Sequence, residues 1–100
     1  MKTFEELNGL ILDWAKERDL LTKDNSTKQY LKFIEEAGEV ARGILKKDEP
    51  AIIDGIGDVL VTLIILSNQL GLDPVHCLKM AYNEIKDRKG QTVDGTFIKS

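Results

Sequence analysis

The segment PAIIDGIGDVLVTLIILSNQL, residues 50–70, is apolar on almost every side when it is drawn as a helix. A helix of this kind has no polar face that could be exposed to water, so other parts of the protein must surround it. Its continuous apolar run, residues 59–66, is far shorter than the ~20 residues that cross a bilayer. We therefore expect a buried central helix in a protein that has no membrane as a partner.

Two helices are predicted before this segment. Apolar residues recur at helical spacing over about residues 3–18, which predicts the first helix. Ser26 followed by Gln29 matches a capping box, so the second helix is expected to begin near residue 27. It should continue through KQYLKFIEEAGEVARGILKK, which has one broad apolar face.

The rest of the chain is predicted to hold a fourth helix and a turn. Pro50 follows two acidic residues and suits the first turn of the central helix, and Asp73-Pro74 opens the fourth. That helix should end near residues 89–90, and the last ten residues predict a turn or short hairpin around Asp94-Gly95. The expected fold is all-α: a four-helix bundle protomer with a short C-terminal turn or hairpin.

Length, charge and cysteine content limit the function. A chain of 100 residues makes one domain, residues 1–100, the expectation, with a core small enough that self-association would help. A net charge of −3 argues against a nucleic-acid polymer as partner, because phosphate contacts need a basic surface. The single cysteine, Cys77, and an N-terminus without a signal-peptide pattern predict a cytoplasmic protein.

Two acidic clusters are the main chemical feature. In EEAGE, Glu35, Glu36 and Glu39 fall within about 100° of one helix face, and this stripe borders the apolar arc. On the central helix, Asp54, Asp58 and Thr62 repeat at i, i+4 and i+8 as a polar seam. The second cluster therefore lies on a helix that is expected to be buried on all sides.

Carboxylates beside a core must be stabilised, since burying them unpaired costs several kcal/mol each. Raised pKa values, basic partners or a divalent cation would each do so. Carboxylates from facing helices hold metals in many bundle cores, and we favour Mg²⁺. Two alternatives stay open: EEAGE as an ordinary solvated face, and Asp58 in a structural ion pair with Lys28, Lys32 or Arg42. Gly55 and Gly57 lie beside the seam, where the lack of a side chain would either let the helices approach closely or leave space for a metal-bound ligand.

The acidic pattern resembles a known signature. Glu35-Glu36-x-x-Glu39, followed by Asp58 at the head of an apolar helix, is similar to the EExxE…ExxD signature of the MazG-like nucleotide pyrophosphohydrolases. YNEIKDRKG and the ending TVDGTFIK resemble the small MazG-like proteins of phages and Gram-positive bacteria. The resemblance covers most of the chain from Gln29 onward.

This resemblance implies Mg²⁺-dependent hydrolysis of a nucleoside triphosphate between its α and β phosphates, with Mn²⁺ as an alternative ion. It also implies a homodimer or homotetramer of helical bundles, with sites completed by a second subunit. The residues that it implies are metal ligands Glu36, Glu39 and Asp58, and nucleotide contacts Asn83 and Lys86. To these we add Asp54 as a weaker metal ligand, Glu35 to orient or deprotonate the water, and Lys32 to bind substrate.

The chain departs from the signature at one position. The first acid of ExxD should fall at residue 55, where this chain has Gly55, and Asp54 lies one residue earlier. A second function therefore stays open: a non-catalytic helical dimerisation or regulatory module with a vestigial metal site. No phosphate-binding loop of the Walker type is present, so a nucleotide would be bound through helices and a cation.

Overall fold

The computed structural model describes residues 1–100 and contains four α-helices followed by one antiparallel pair of strands. The elements are α1 (Phe4–Glu17), α2 (Ser26–Lys46), α3 (Glu49–Gln69), α4 (Pro74–Ile85), β1 (Gly90–Val93) and β2 (Thr96–Lys99). A 3₁₀ turn, Lys23–Asn25, leads directly into α2. The prediction of four helices followed by a short hairpin is confirmed.

Side-chain caps explain where α3 and α4 begin. The Asp48 carboxylate accepts a hydrogen bond from the Ala51 N–H at 3.2 Å, and Pro50 occupies the first turn of α3. Asp73 accepts in the same way from the Val75 N–H at 2.9 Å ahead of α4. Both caps satisfy helix N–H groups that have no partner within the helix, so both predicted starts are confirmed.

The capping box predicted for α2 is wrong. Ser26 is itself helical, and its N–H donates to the Lys23 carbonyl of the 3₁₀ turn. Because this turn supplies a backbone acceptor, the first turn of α2 needs no side-chain cap. The Gln29 amide is therefore free for a tertiary contact, and its Nε2 donates to the Thr62 carbonyl of α3 at 3.2 Å.

The fourth helix is shorter than the sequence suggested. It ends at Ile85 rather than near residues 89–90, and no apolar side chain follows until Val93. A further turn of helix would have nothing to pack against. The chain instead forms the hairpin, in which Asp94 and Gly95 have φ values of 50° and 80°. Positive φ at both positions is typical of a tight two-residue hairpin turn.

The central position of α3 is confirmed, since α1, α2 and α4 all pack against it. The approach of α2 to α3 is closest at Gly55, where an added Cβ would lie 2.9 Å from Val40 Cγ2. Gly57 has open space around it, with nothing within 4 Å of such an added atom. Of the two roles considered for these glycines, close helix packing therefore applies to Gly55.

The single chain leaves much apolar surface in contact with solvent. Only eight of its 100 residues are buried, and Ile53 of the central helix is 65% exposed. The radius of gyration is 15.9 Å, whereas a compact domain of this length has about 13 Å. By length and composition alone, α3 could cross a membrane, a test that the core helix of a soluble protein also passes. The four helices therefore do not close into a compact bundle within one protomer.

Candidate active site

The three glutamates of α2 lie together in the structure. One carboxylate oxygen from each of Glu35, Glu36 and Glu39 can be chosen so that all three lie within 4.8 Å of one another. Glu36 is buried, while Glu35 and Glu39 are exposed. The prediction that this stripe borders the core is confirmed at Glu36, so the cluster is not simply a solvated face.

Glu36 has one satisfied and one unsatisfied oxygen. Its Oε1 lies 3.1 Å from Lys32 Nζ, and its Oε2 is buried without a hydrogen-bond partner. A buried acceptor without a donor costs about 1–3 kcal/mol, more for a charged group, and such atoms usually indicate an unrecorded ligand or a functional role. Glu36 Oε2 therefore has the character of a free ligand atom.

Lys32 links two of the glutamates. Its Nζ lies 3.2 Å from Glu35 Oε1 as well as 3.1 Å from Glu36 Oε1. Hydrogen bonding to Glu36, and then to Glu35, raises the pKa of the Lys32 ammonium above its ordinary value. Lys32 thus stays protonated and holds both carboxylates in a fixed relation on α2.

Asp58 faces the same cluster from α3. Partial burial raises the pKa of its carboxyl, and the negative charges of Asp54 and Glu36 raise it further. The nearby Glu36 carboxylate thus disfavours ionisation of Asp58, whereas the charge of Lys32 lowers the pKa of Asp58. The four ion pairs of the protein do not include Asp58, so the structural ion pair considered for it is not formed.

Asp54 also turns toward this region. Its charge acts on Asp58, and it lines a cleft of about 210 Å³ between α2 and α3 that Glu39 and Arg42 line as well. Gly55, where the signature has an acid, lines the same cleft from a position packed against Val40. Asp54 is therefore the carboxylate nearest to the missing one.

These side chains fit a hard divalent cation. Oxygen ligands on opposite sides of Mg²⁺ are about 4.2 Å apart, since each Mg–O distance is about 2.1 Å. The three glutamate oxygens lie within 4.8 Å of one another, and neighbouring ligands of one octahedral ion are about 3.0 Å apart, so the carboxylates would draw together on binding a cation. The unpaired Glu36 Oε2 supplies an acceptor with no competing partner. The donor set is carboxylate oxygen, which Mg²⁺ and Mn²⁺ both accept.

Comparison with known families agrees with this geometry. The model of the MazG nucleotide pyrophosphohydrolase domain matches residues 23–90, a stretch that contains all of the carboxylates described above. The chain belongs to this family. The MazG domain accounts for α2, α3 and α4, so both acidic clusters and the helix that follows them lie within it.

A phage protein is similar to this MazG-domain chain. It is described as an uncharacterized 18.2 kDa protein in the rep-hol intergenic region of Haemophilus phage HP1. The two are 36% identical over 75 residues, which cover 75% of this chain and 46% of the phage protein. The chain therefore spans about half the length of that relative. No solved structure matches the chain.

Two predicted substrate-binding residues lie apart from the carboxylates. Asn83 is on α4 and Lys86 directly follows it, and both are exposed. Neither side chain makes a hydrogen bond or an ion pair in the protomer, and α4 packs mainly along α3. Their role as nucleotide contacts stays a prediction, and the helix that carries them is the one least engaged by the rest of the MazG domain.

The structure also brings together polar residues that the sequence analysis did not select. A cavity of about 480 Å³ between α1, α2 and α3 is lined by Gln29, Gln69 and Trp14, next to Lys32. Gln69 lies seven residues after Thr62 and continues the polar seam of α3, a spacing that identifies it in retrospect. Trp14 lines this cavity, whereas Tyr30 packs against Phe33 and Tyr82 is exposed.

Proposed function

We propose that this protein is a Mg²⁺-dependent nucleoside triphosphate pyrophosphohydrolase. It cleaves ribo- or deoxynucleoside triphosphates between the α and β phosphates and releases a nucleoside monophosphate and pyrophosphate. Membership of the MazG family supports action on nucleotides. The observation that carries the proposal is the state of the buried Glu36 carboxylate. Lys32 contacts one of its oxygens, and the second oxygen has no partner although other carboxylates cluster beside it.

Four carboxylates are assigned to the cation. Glu36, Glu39 and Asp58 are the main ligands and Asp54 is a weaker one, with Mg²⁺ as the ion and Mn²⁺ as an alternative. Bound there, the ion supplies positive charge against the phosphate oxygens and lowers the pKa of a coordinated water. The raised pKa of Asp58 supports this assignment, because a nearby cation would remove the repulsion that raises it.

The remaining residues position the water and the substrate. The water oxygen forms a bond to the α phosphorus as the bond from that phosphorus to the bridging oxygen breaks, and pyrophosphate leaves. Glu35, exposed beside the buried Glu36, orients this water and takes its proton. Lys32, Asn83 and Lys86 bind the substrate, and Lys32 at the same time keeps Glu35 and Glu36 in place.

We also propose that the active form is a homodimer or homotetramer. The exposed apolar side chains of α3 and α4 and the large radius of gyration support self-association, since a single chain buries very little. A second copy would cover α4 and could bring Asn83 and Lys86 to a neighbouring carboxylate cluster. The substrate is a free nucleotide and not a nucleic-acid polymer, in keeping with the net charge of −3, and the location is cytoplasmic.

The test is pyrophosphate release from a panel of ribo- and deoxynucleoside triphosphates, with and without Mg²⁺. We expect metal-dependent turnover that Asp58→Ala lowers by at least about 100-fold, because even outer-shell changes at metal sites cost 10–100-fold. Asp13→Ala is the matched control, an exposed aspartate in the middle of α1, and should retain full activity. A folded, Mg²⁺-loaded protein that releases no pyrophosphate from any triphosphate would refute the proposal.

One observation favours a second function. Gly55 stands where the signature has an acid, and Val40 lies so close that a side chain at residue 55 has no room. The packing of α2 against α3 therefore leaves no space for an acid at residue 55. This is expected for a helical dimerisation or regulatory module with a vestigial metal site. Mg²⁺ binding without turnover, measured by calorimetry beside the pyrophosphate assay, would favour this alternative.

A further inference from the structure

A second polar site adjoins the carboxylate cluster. The cavity of about 480 Å³ between α1, α2 and α3 has lysine and amide side chains on one wall and Trp14 on another. Lys32 lines this cavity and also contacts Glu36, so the two sites share a residue. Gln29 precedes Glu36 by seven residues, about 10 Å along α2, which is the scale of the distance between a base and its phosphates in a nucleotide.

The Gln69 side chain has a fixed orientation in this cavity. Its Nε2 donates to the Leu20 carbonyl at 2.6 Å. A carbonyl oxygen can only accept, so the amide cannot be turned around, and Oε1 must point the other way. Gln69 is 5% exposed, and its Oε1 is buried without any partner. Gln69 therefore gives the wall of the cavity an acceptor of fixed orientation that has no donor within the protomer.

Two further contacts fix the surrounding walls. The Gln29 Nε2 donates to the Thr62 carbonyl at 3.2 Å, which orients a second amide by the same reasoning. The Arg18 guanidinium lies 4.3 Å from the Trp14 ring centroid and its Nη1 donates to the Trp14 carbonyl at 2.9 Å. One face of the indole is thus covered, which leaves the other face for a planar ligand.

We propose that this cavity binds the base of the nucleotide and that Gln69 selects bases with an amino group at C4 of a pyrimidine or C6 of a purine, cytosine and adenine. The amino group donates to Gln69 Oε1. Uracil, thymine and hypoxanthine carry a carbonyl at the same position, which would set two acceptors against each other and leave Oε1 unpaired. This inference rests on the proposed function in taking a nucleotide as the ligand, but it does not require that the nucleotide is hydrolysed.

The sole tryptophan of the chain gives a direct readout, because Trp14 lines the cavity. The full-length protein without metal is titrated with CMP and UMP, and with AMP and IMP, while the indole N–H signal of Trp14 is followed by NMR. Within each pair an amino group is replaced by a carbonyl, and the neighbouring ring nitrogen changes from an acceptor to an N–H donor. We expect the amino member of each pair to bind about ten- to 100-fold more tightly, the effect of one buried acceptor left unpaired.

Gln69→Met should remove this preference, because methionine keeps the length of the side chain and loses its acceptor. Gln91→Met, in the exposed strand β1, is the matched control and should keep it. Should Gln69→Met fail to fold, the comparison within each pair in the unaltered protein still decides. Equal affinities within both pairs, or no change of the Trp14 signal with any nucleotide, would overturn the inference.

The outcome is separable from that of the proposed hydrolysis. Preferential binding of CMP and AMP without pyrophosphate release from any triphosphate would support the base site and refute the hydrolase. Turnover with equal kcat/KM for CTP and UTP, and for ATP and ITP, would support the hydrolase and refute the selection by Gln69.

Discussion

The α2–α3 pair and the α4–hairpin region differ in how far one chain completes them. The helices α2 and α3 approach so closely that Gly55 has no room for a side chain beside Val40. They hold the carboxylate cluster and one wall of the cavity. By contrast, α4 packs mainly along α3, and Leu78 and Tyr82 are 62% and 60% exposed. The clustered carboxylates therefore lie in the region that one chain packs, and exposed apolar side chains lie in the region that it leaves open.

This difference suggests a division of roles. A metal centre must hold several side chains in a fixed relation, which a tightly packed helix pair provides. An exposed amphipathic helix is instead suited to association with another chain. The predicted contacts Asn83 and Lys86 lie in the second region, and we expect assembly with another chain to bring them to a nucleotide. The predictions that follow test each side of this comparison.

The largest expected effect is loss of activity on removing one charge from the packed region. Glu36→Gln keeps the size of the side chain and an oxygen facing Lys32, but it removes the carboxylate with the unpaired oxygen. We expect kcat/KM for the best triphosphate to fall by at least about 100-fold with an unchanged circular dichroism spectrum. Glu17→Gln, at an exposed position of α1, is the control. Retention of activity by Glu36→Gln would remove Glu36 from the metal site.

The next effect concerns the open region. Leu78, on α4, lines a groove of about 370 Å³ with Phe4, Leu60 and Leu63. Because Leu78 is exposed in the protomer, Leu78→Asp should leave the single chain folded while placing a charge in any interface that covers α4. We expect the dissociation constant of the oligomer to rise by at least about 30-fold, as for a central interface residue. Sedimentation equilibrium measures this constant.

Lys79→Asp is the control for this prediction, since it places the same charge at the neighbouring exposed position. If the wild-type protein is already monomeric at high concentration, or if Leu78→Asp assembles normally, α4 does not form the interface. Loss of turnover together with assembly in Leu78→Asp would support a site completed by a second subunit.

A smaller effect is expected from the closest contact between α2 and α3. Gly55→Ala places a methyl group 2.9 Å from Val40 Cγ2, closer than carbon atoms normally approach, and valine has little rotamer freedom to move away. We expect the free energy of unfolding to fall by about 1–3 kcal/mol in urea titrations. Gly57→Ala is the matched control in the same helix, and its open surroundings predict a gain of up to about 1 kcal/mol instead. Equal effects of the two substitutions would contradict the close packing at Gly55.

The helix starts at α3 and α4 were predictable because their caps are local. Asp48 and Asp73 each bond to an N–H two or three residues later, so the sequence neighbourhood contains both partners. The start of α2 was not predictable in this way. Gln29, which matched a local capping pattern, bonds to a carbonyl 33 residues away in α3. A tertiary partner of this kind leaves no trace at short spacing.

The same distinction applies to the two sites. Glu35, Glu36 and Glu39 could be grouped because they share one helix, and helical periodicity alone puts them together. The orientation of Gln69 depends on the carbonyl of Leu20, 49 residues earlier. Leu20 lies in the connection between α1 and the 3₁₀ turn, far from Gln69 in sequence. A fixed buried acceptor can therefore be recognised only once the chain is folded.

The smallest effect is the electrostatic cost of Asp58 in the metal-free protein. Its folded-state pKa is raised above the ordinary value of 3.8, so the native state binds this proton more tightly than the unfolded state. Stability is therefore highest below about pH 4 as far as this group is concerned, and it falls as the pH rises through the raised pKa. Asp58→Asn should remove this loss and raise the melting temperature of the metal-free protein at neutral pH by a few degrees.

Mg²⁺ should stabilise the wild type and Asp58→Asn to different extents. It should raise the melting temperature of the wild type, because it binds the folded carboxylates, and raise that of Asp58→Asn much less. Thermal unfolding with and without Mg²⁺ at neutral pH measures both differences, with Asp13→Asn as the control. A variant that is more stable without metal, less responsive to it and inactive would show that the repulsion at Asp58 is retained for cation binding. Equal responses of the wild type and Asp58→Asn to Mg²⁺ would contradict that role.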